Sequence, residues 1–159
     1  MPALPPDVAE TIERISPDLA AAIEAADPPP IGEGTRVTEI AVVLRPIVER
    51  LPPKALAALW LAANELDRSH RISQSIDDPD GSYLHGVMHR REGDFDNAKY
   101  WFRRASNHPV EAALADAHPN DYRDAISFVD ACQRGDEAAE SIAWTEWCEM
   151  ARRFVSPQR

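Results

Sequence analysis

Three histidines carry most of the chemistry that this sequence offers. His85 and His89 stand four residues apart in LHGVMHRREGDFDNAKYWFRRA, residues 84 to 105, and therefore share one face of a helix. His70 ends the apolar seam of the preceding helical stretch, which runs Leu56, Leu59, Ala63, Leu66, His70 and Ser73. Imidazoles at i and i+4, completed by a third from an adjacent helix, make a ligand set for a divalent metal such as zinc, or for iron. The competing reading is that all three are polar core residues, hydrogen-bonded to Ser73, Gln74 or Tyr100. HExxH is absent, because Gly86 occupies the place of its glutamate.

A second chemistry is anion binding. The chain carries a net charge of −10, yet from His85 to His108 five basic residues (Arg90, Arg91, Lys99, Arg103 and Arg104) stand against three acidic ones. If Arg90, Lys99 and Arg103 share a mouth with His89, a phosphate or carboxylate meets charged donors beside a titratable imidazole. Two bland readings oppose this. Lys99 and Arg103 suit an exposed helix face, and arginines near helix C-termini complement the dipole. Tyr100 and Trp101 are expected to flank an inward Phe102 at the edges of a helix pair. Ser69, Ser73 and Ser75 lie near histidines, but no G-x-S-x-G turn is present and serine hydrolase chemistry is not indicated.

The elements that must position these residues all read as helical. At 159 residues, with 44% hydrophobic and 28% charged side chains, the chain suits one soluble globular domain. No apolar run is long enough to span a bilayer, and MPALPPDVAE lacks the basic and apolar regions of a secretory signal, so a cytoplasmic location is expected. Net negative charge argues against nucleic acid as a partner. Cys132 and Cys148 lack metal-ligand spacing and are expected to be buried, reduced thiols.

Short helices are expected over 7–15 and from the Ser16-Pro17-Asp18 cap onward, followed by a linker, DPPPIGEG, at 27–34. Residues 1–34 are thus expected to form N-terminal helices and a linker, a loosely packed arm, ahead of a bundle domain over 35–159. Pro46 should kink or divide a helix over 37–51. Pro52-Pro53 should open one continuous helix to about residue 74, and Ser82 should cap the helix that carries His85 and His89. Asn120 or Asp121 is expected to cap the next-to-last helix and Gly135 to end it. The wide apolar face of the last helix, Ile142, Trp144, Trp147, Cys148 and Ala151, closes the far side of the hairpin or forms a homodimer; sequence leaves both open.

Residues 82 to 105 resemble the tetratricopeptide pattern, W-x2-L-G-x2-Y on a first helix and A-x3-F on a second. Gly86 falls on the glycine, Ala98 and Phe102 on the alanine and phenylalanine, and Gly93-Asp94 on the turn. Ser82, His85 and His89 stand where tryptophan, leucine and tyrosine are expected. The resemblance implies an antiparallel helix hairpin with both histidines pointing into it. More widely, LDRSHRISQSI, GSYLHGVMHRREGDFDNAKYWFRRASNHP, FVDACQRG and IAWTEWCEMARR are similar to a family of uncharacterised, mostly bacterial helical proteins, a resemblance that implies fold alone.

The expected architecture is an all-α orthogonal or up-down bundle around that hairpin. The favoured function is a non-enzymatic binding module with no cofactor. Its patch of His70, His85, His89, Arg90, Lys99 and Arg103 takes a small anionic ligand or an acidic peptide or protein partner. The alternative is an enzyme that uses His70, His85 and His89 as metal ligands or as an acid/base pair.

Overall fold

Prolines and short polar caps divide the chain into helices, and the divisions decide which side chains meet. The structure, a computed structural model, describes residues 2–156. Helices α1 (Pro6–Ile15) and α2 (Pro17–Ala25) are separated by Ser16, whose hydroxyl accepts a hydrogen bond from the Leu19 amide at 3.1 Å. Helix α3 (Thr38–Leu44) gives way to a 3-10 helix over Arg45–Arg50, because Pro46 cannot donate to the α-helical ladder. The remaining elements are α4 (Pro53–Ala62), α5 (Leu66–Ser73), α6 (Pro79–Glu92), α7 (Phe95–Ala105), α8 (Pro109–Ala117), α9 (Ala125–Arg134) and α10 (Ala139–Phe154). Among the described residues there is no strand, and no helix is long and apolar enough to cross a membrane.

Four boundaries differ from expectation, each for a local reason. The helix expected to run from Pro53 to residue 74 breaks after Ala63, where Asn64 takes a left-handed φ of 56°. Its side-chain Nδ2 donates to the Thr35 carbonyl at 2.7 Å and its Oδ1 accepts from Arg91 at 2.6 Å, so tertiary contacts hold the bend. Asp78, not Ser82, caps α6: with Pro79 at the first helical position, its carboxylate accepts from the Gly81 amide at 2.9 Å. Asp124, not Asn120 or Asp121, caps α9 through the Ser127 amide at 2.7 Å. Helix α8 was not anticipated. Pro109 opens it, and His108 and Glu111 close a reciprocal capping box in which histidine replaces the usual serine or threonine.

One core joins all of these elements. Val8, Ile12, Leu19 and Ile23 place the N-terminal helices within it, where a loose arm was expected. Most of the apolar face of α10 is closed inside the chain, and Trp144 is only partly buried. Ile142, Trp147, Cys148 and Ala151 are buried, and the Trp147 indole donates to the Ala58 carbonyl at 2.9 Å. Cys132 and Cys148 are buried and unpaired, and burial pushes the Cys148 thiol up to about 12.

Helices α6 and α7 form the expected antiparallel hairpin. Gly93, at φ 85°, ends α6 in the left-handed region, and Asp94 caps α7 by accepting from the Asn97 amide. Contacts run in opposite directions along the two helices: Tyr83 and Gly86 meet Phe102, His85 meets Trp101, and His89 meets Asn97. A Cβ on Gly86 would lie 2.9 Å from two carbons of the buried Phe102 ring, closer than side chains pack. Gly86→Ala is therefore expected to lower stability by roughly 1–2 kcal/mol in urea unfolding, although alanine is the better helix former by ~1 kcal/mol. Adding Phe102→Leu should recover part of the loss. An unchanged or raised midpoint for Gly86→Ala would show that the two helices do not need this close approach.

Candidate functional site

Helix α6 is buried along nearly its whole length although it carries two histidines and two arginines, so each of these polar groups must find a partner. Arg90 turns into the core and forms a two-pronged ion pair with Glu146 of α10, at 2.5 and 3.1 Å. Tyr83 completes this group by donating to Glu146 at 2.8 Å. The guanidinium also lies over the Phe128 ring at 4.6 Å, and the carboxylate raises its pKa despite the opposing effect of burial. Arg91 turns the other way and donates to the carbonyls of Leu61, Gly32 and Glu33, clamping the 27–34 linker over the end of α4.

The histidines occupy the remaining face. The bend at Asn64 sets α5 against α6 and brings His70 to His85 and His89, with ring centroids 4.8 and 5.3 Å away. His85 and His89 stack at 4.7 Å, with 15° between their planes. The Trp101 ring covers the other face of His85 at 4.0 Å and 13°. One nitrogen from each of the three rings lies within 4.8 Å of the other two. His85 and His89 are 5% and 6% exposed and His70 is half-buried, so the cluster sits just beneath the surface.

Their hydrogen bonding differs from ring to ring. His89 Nδ1 lies 2.6 Å from a Glu92 carboxylate oxygen and Nε2 lies 3.2 Å from the Asn97 amide nitrogen. His70 and His85 have no hydrogen-bond partner for their rings among the described residues. The Ser73 hydroxyl instead donates to the His70 backbone carbonyl, and Tyr100 is exposed beside Arg104. Burial, with the neighbouring His89 and His70, pulls the His85 pKa from 6.5 down to about 4. His85 therefore presents a neutral ring at pH 7, the form that ligates metals.

The structure thus brings His70, His85 and His89 together and sends the basic residues elsewhere. Arg90 is held by Glu146, Lys99 pairs with Asp130 at 2.6 Å on the α9 side, and Arg103 is exposed. Glu92 and Asp94 were not singled out in the sequence. With His89 they form a second group whose ligand atoms lie within 4.8 Å of one another. Glu92 was detectable as an acid three residues after His89, one turn along the same helix face. Asn97 becomes a neighbour only when the hairpin closes.

The chain matches no protein-family model, no curated protein and no solved structure.

Acid should act on this protein in two separate ranges. His85 is held below its unfolded value, so its contribution is complete above pH 6.5 and is lost as pH falls towards 4; His108, also lowered by burial, adds to the same limb. Asp80 is held at about 2 against burial by hydrogen bonds from Lys54, His108 and Arg153, so its contribution is lost between 3.8 and 2. His85→Asn is expected to flatten the decline in melting temperature between pH 6.5 and 4 and to leave the decline below 4 intact. An identical upper limb in wild type and variant would exclude His85 as its source.

Proposed function

We propose that this protein binds a first-row divalent transition metal through His70, His85 and His89. The convergence of three imidazoles from two helices, with one nitrogen of each within 4.8 Å, carries the reading. Imidazole ligands suit zinc, copper, nickel and iron, whereas magnesium and calcium require oxygen. Three protein ligands are also the number used by zinc sites that keep one position for an outside group. The rings of His70 and His85 take part in no hydrogen bond among the described residues, which leaves a nitrogen lone pair on each free for a metal.

Anion binding at the same place has less support. Glu92 and Asp94 lie beside His89, at 2.6 and 3.9 Å from Nδ1, and would repel a phosphate or carboxylate. Three of the charged donors such a ligand needs are engaged, Arg90 with Glu146, Arg91 with backbone carbonyls and Lys99 with Asp130, and Arg103 is exposed.

Metal-free protein should take up one equivalent of zinc, nickel or copper. Its melting temperature should rise with free metal, by ~2.7 kcal/mol of stabilisation at 100 times Kd. His85→Ala should weaken binding at least 100-fold while the helical circular-dichroism spectrum is kept. Magnesium, calcium and inorganic phosphate should give no shift. Equal responses of wild type and His85→Ala to zinc, or a shift with phosphate alone, would remove the proposal.

A further inference from the structure

We infer that Glu92 and Asn97 act on the metal affinity of this cluster in opposite directions, Glu92 as a positioning residue that strengthens His89 as a ligand and Asn97 as a competitor for the same nitrogen. The inference rests on the metal reading above and goes beyond it by assigning the ligand atom of His89 and the residues that tune it.

The assignment follows from donor and acceptor roles. Glu92 Oε1 lies 2.6 Å from His89 Nδ1, and an ionised carboxylate can only accept, so Nδ1 carries the proton. In the neutral ring this leaves the lone pair on Nε2. That atom faces the Asn97 amide nitrogen at 3.2 Å, a donor matched to a lone pair and not to a second N–H. Nε2 is therefore the nitrogen of His89 that a metal would take.

Glu92 then becomes an outer-shell carboxylate. It fixes the tautomer and ring orientation of His89 and raises the basicity of Nε2, a contribution whose loss commonly costs 10–100-fold in affinity. Glu92 is the last residue of α6 and precedes the left-handed Gly93, so the turn that closes the hairpin also aims this side chain.

Asn97 has the contrary effect, because the metal and the amide cannot share one lone pair. Release of Asn97 leaves it with a partner. Its Nδ2 is also 3.4 Å from an Asp94 carboxylate oxygen, and its backbone N–H stays on the other oxygen of that carboxylate. The hydrogen bond forfeited on metal binding is a single neutral one, equivalent to a ~2–10-fold reduction in affinity.

Cobalt(II) titration of the whole chain tests both assignments, because its visible d–d absorption reports the inner ligands and its saturation curve gives Kd. Glu92→Gln should weaken cobalt binding ~10–100-fold without moving the absorption band, and Glu92→Ala should weaken it at least as much. Asn97→Ala should tighten binding ~2–10-fold, again with the same band. Neither side chain is buried in the core, so circular dichroism should confirm intact folds. Unchanged Kd in both positions, weakened binding in Asn97→Ala, or a displaced band in Glu92→Gln would each overturn the inference; the last would place Glu92 among the inner ligands. If wild type binds cobalt, loses it in His85→Ala and ignores both substitutions, the tuning roles fail and the metal reading stands. If wild type does not bind cobalt, both fail.

Discussion

The approach of the Phe102 ring to Gly86 sets how α6 lies against α7, and the placement of the polar side chains follows from it. With no Cβ at position 86 the helices close to ring-to-backbone contact, and the hairpin takes a single register. In that register His85 slides under Trp101, His89 reaches Asn97 across the turn, and Tyr83 meets the edge of Phe102 at 5.2 Å. A larger residue at position 86 would part the helices and loosen all three contacts together.

Burial of so polar a helix sorts its side chains by what each can find. Arg90 keeps its charge in the core because Glu146 presents both carboxylate oxygens and Tyr83 donates to one of them. Such a pair is weak evidence of net stability, but removing one partner leaves the other's charge unpaired. Arg91 solves the same problem with backbone carbonyls and in doing so ties the proline-rich linker to α4 and α6. The matching is not complete, because Arg90 Nε is buried without a hydrogen-bond partner among the described residues. His89 is satisfied at both nitrogens, whereas His85 is held by ring stacking alone among the described residues.

Much of the helical layout was legible from the chain. The Ser16-Pro17 cap, the division at Pro46, the Gly93-Asp94 turn and the Gly86, Ala98 and Phe102 pattern are local signals, and the structure follows them. The break at Asn64 was hidden because LWLAANELD continues an apolar seam. The bend is held by Thr35 and Arg91, both distant in sequence. Capping by Asp78, Asp124 and His108 was missed where several polar residues compete over a few positions. For the site, spacing placed His85 and His89 on one face, and the end of a seam pointed to His70. The directions of Arg90 and Lys99 depend on Glu146 and Asp130, 56 and 31 positions further along, and no local pattern reveals such partners.

Three of the five histidines make up the proposed metal centre. The other two are internal controls: His108 caps α8 and meets Asp80 at 2.7 Å, and His118 meets Thr145 at 2.8 Å. Long-range 15N–1H correlation spectra of the imidazoles, recorded during zinc titration of metal-free protein, distinguish the two groups of rings. The expected result is that the ring signals of His70, His85 and His89 move together and saturate at one equivalent, while those of His108 and His118 stay in place. Five unmoved histidines, or shifts confined to His108 and His118, would contradict it.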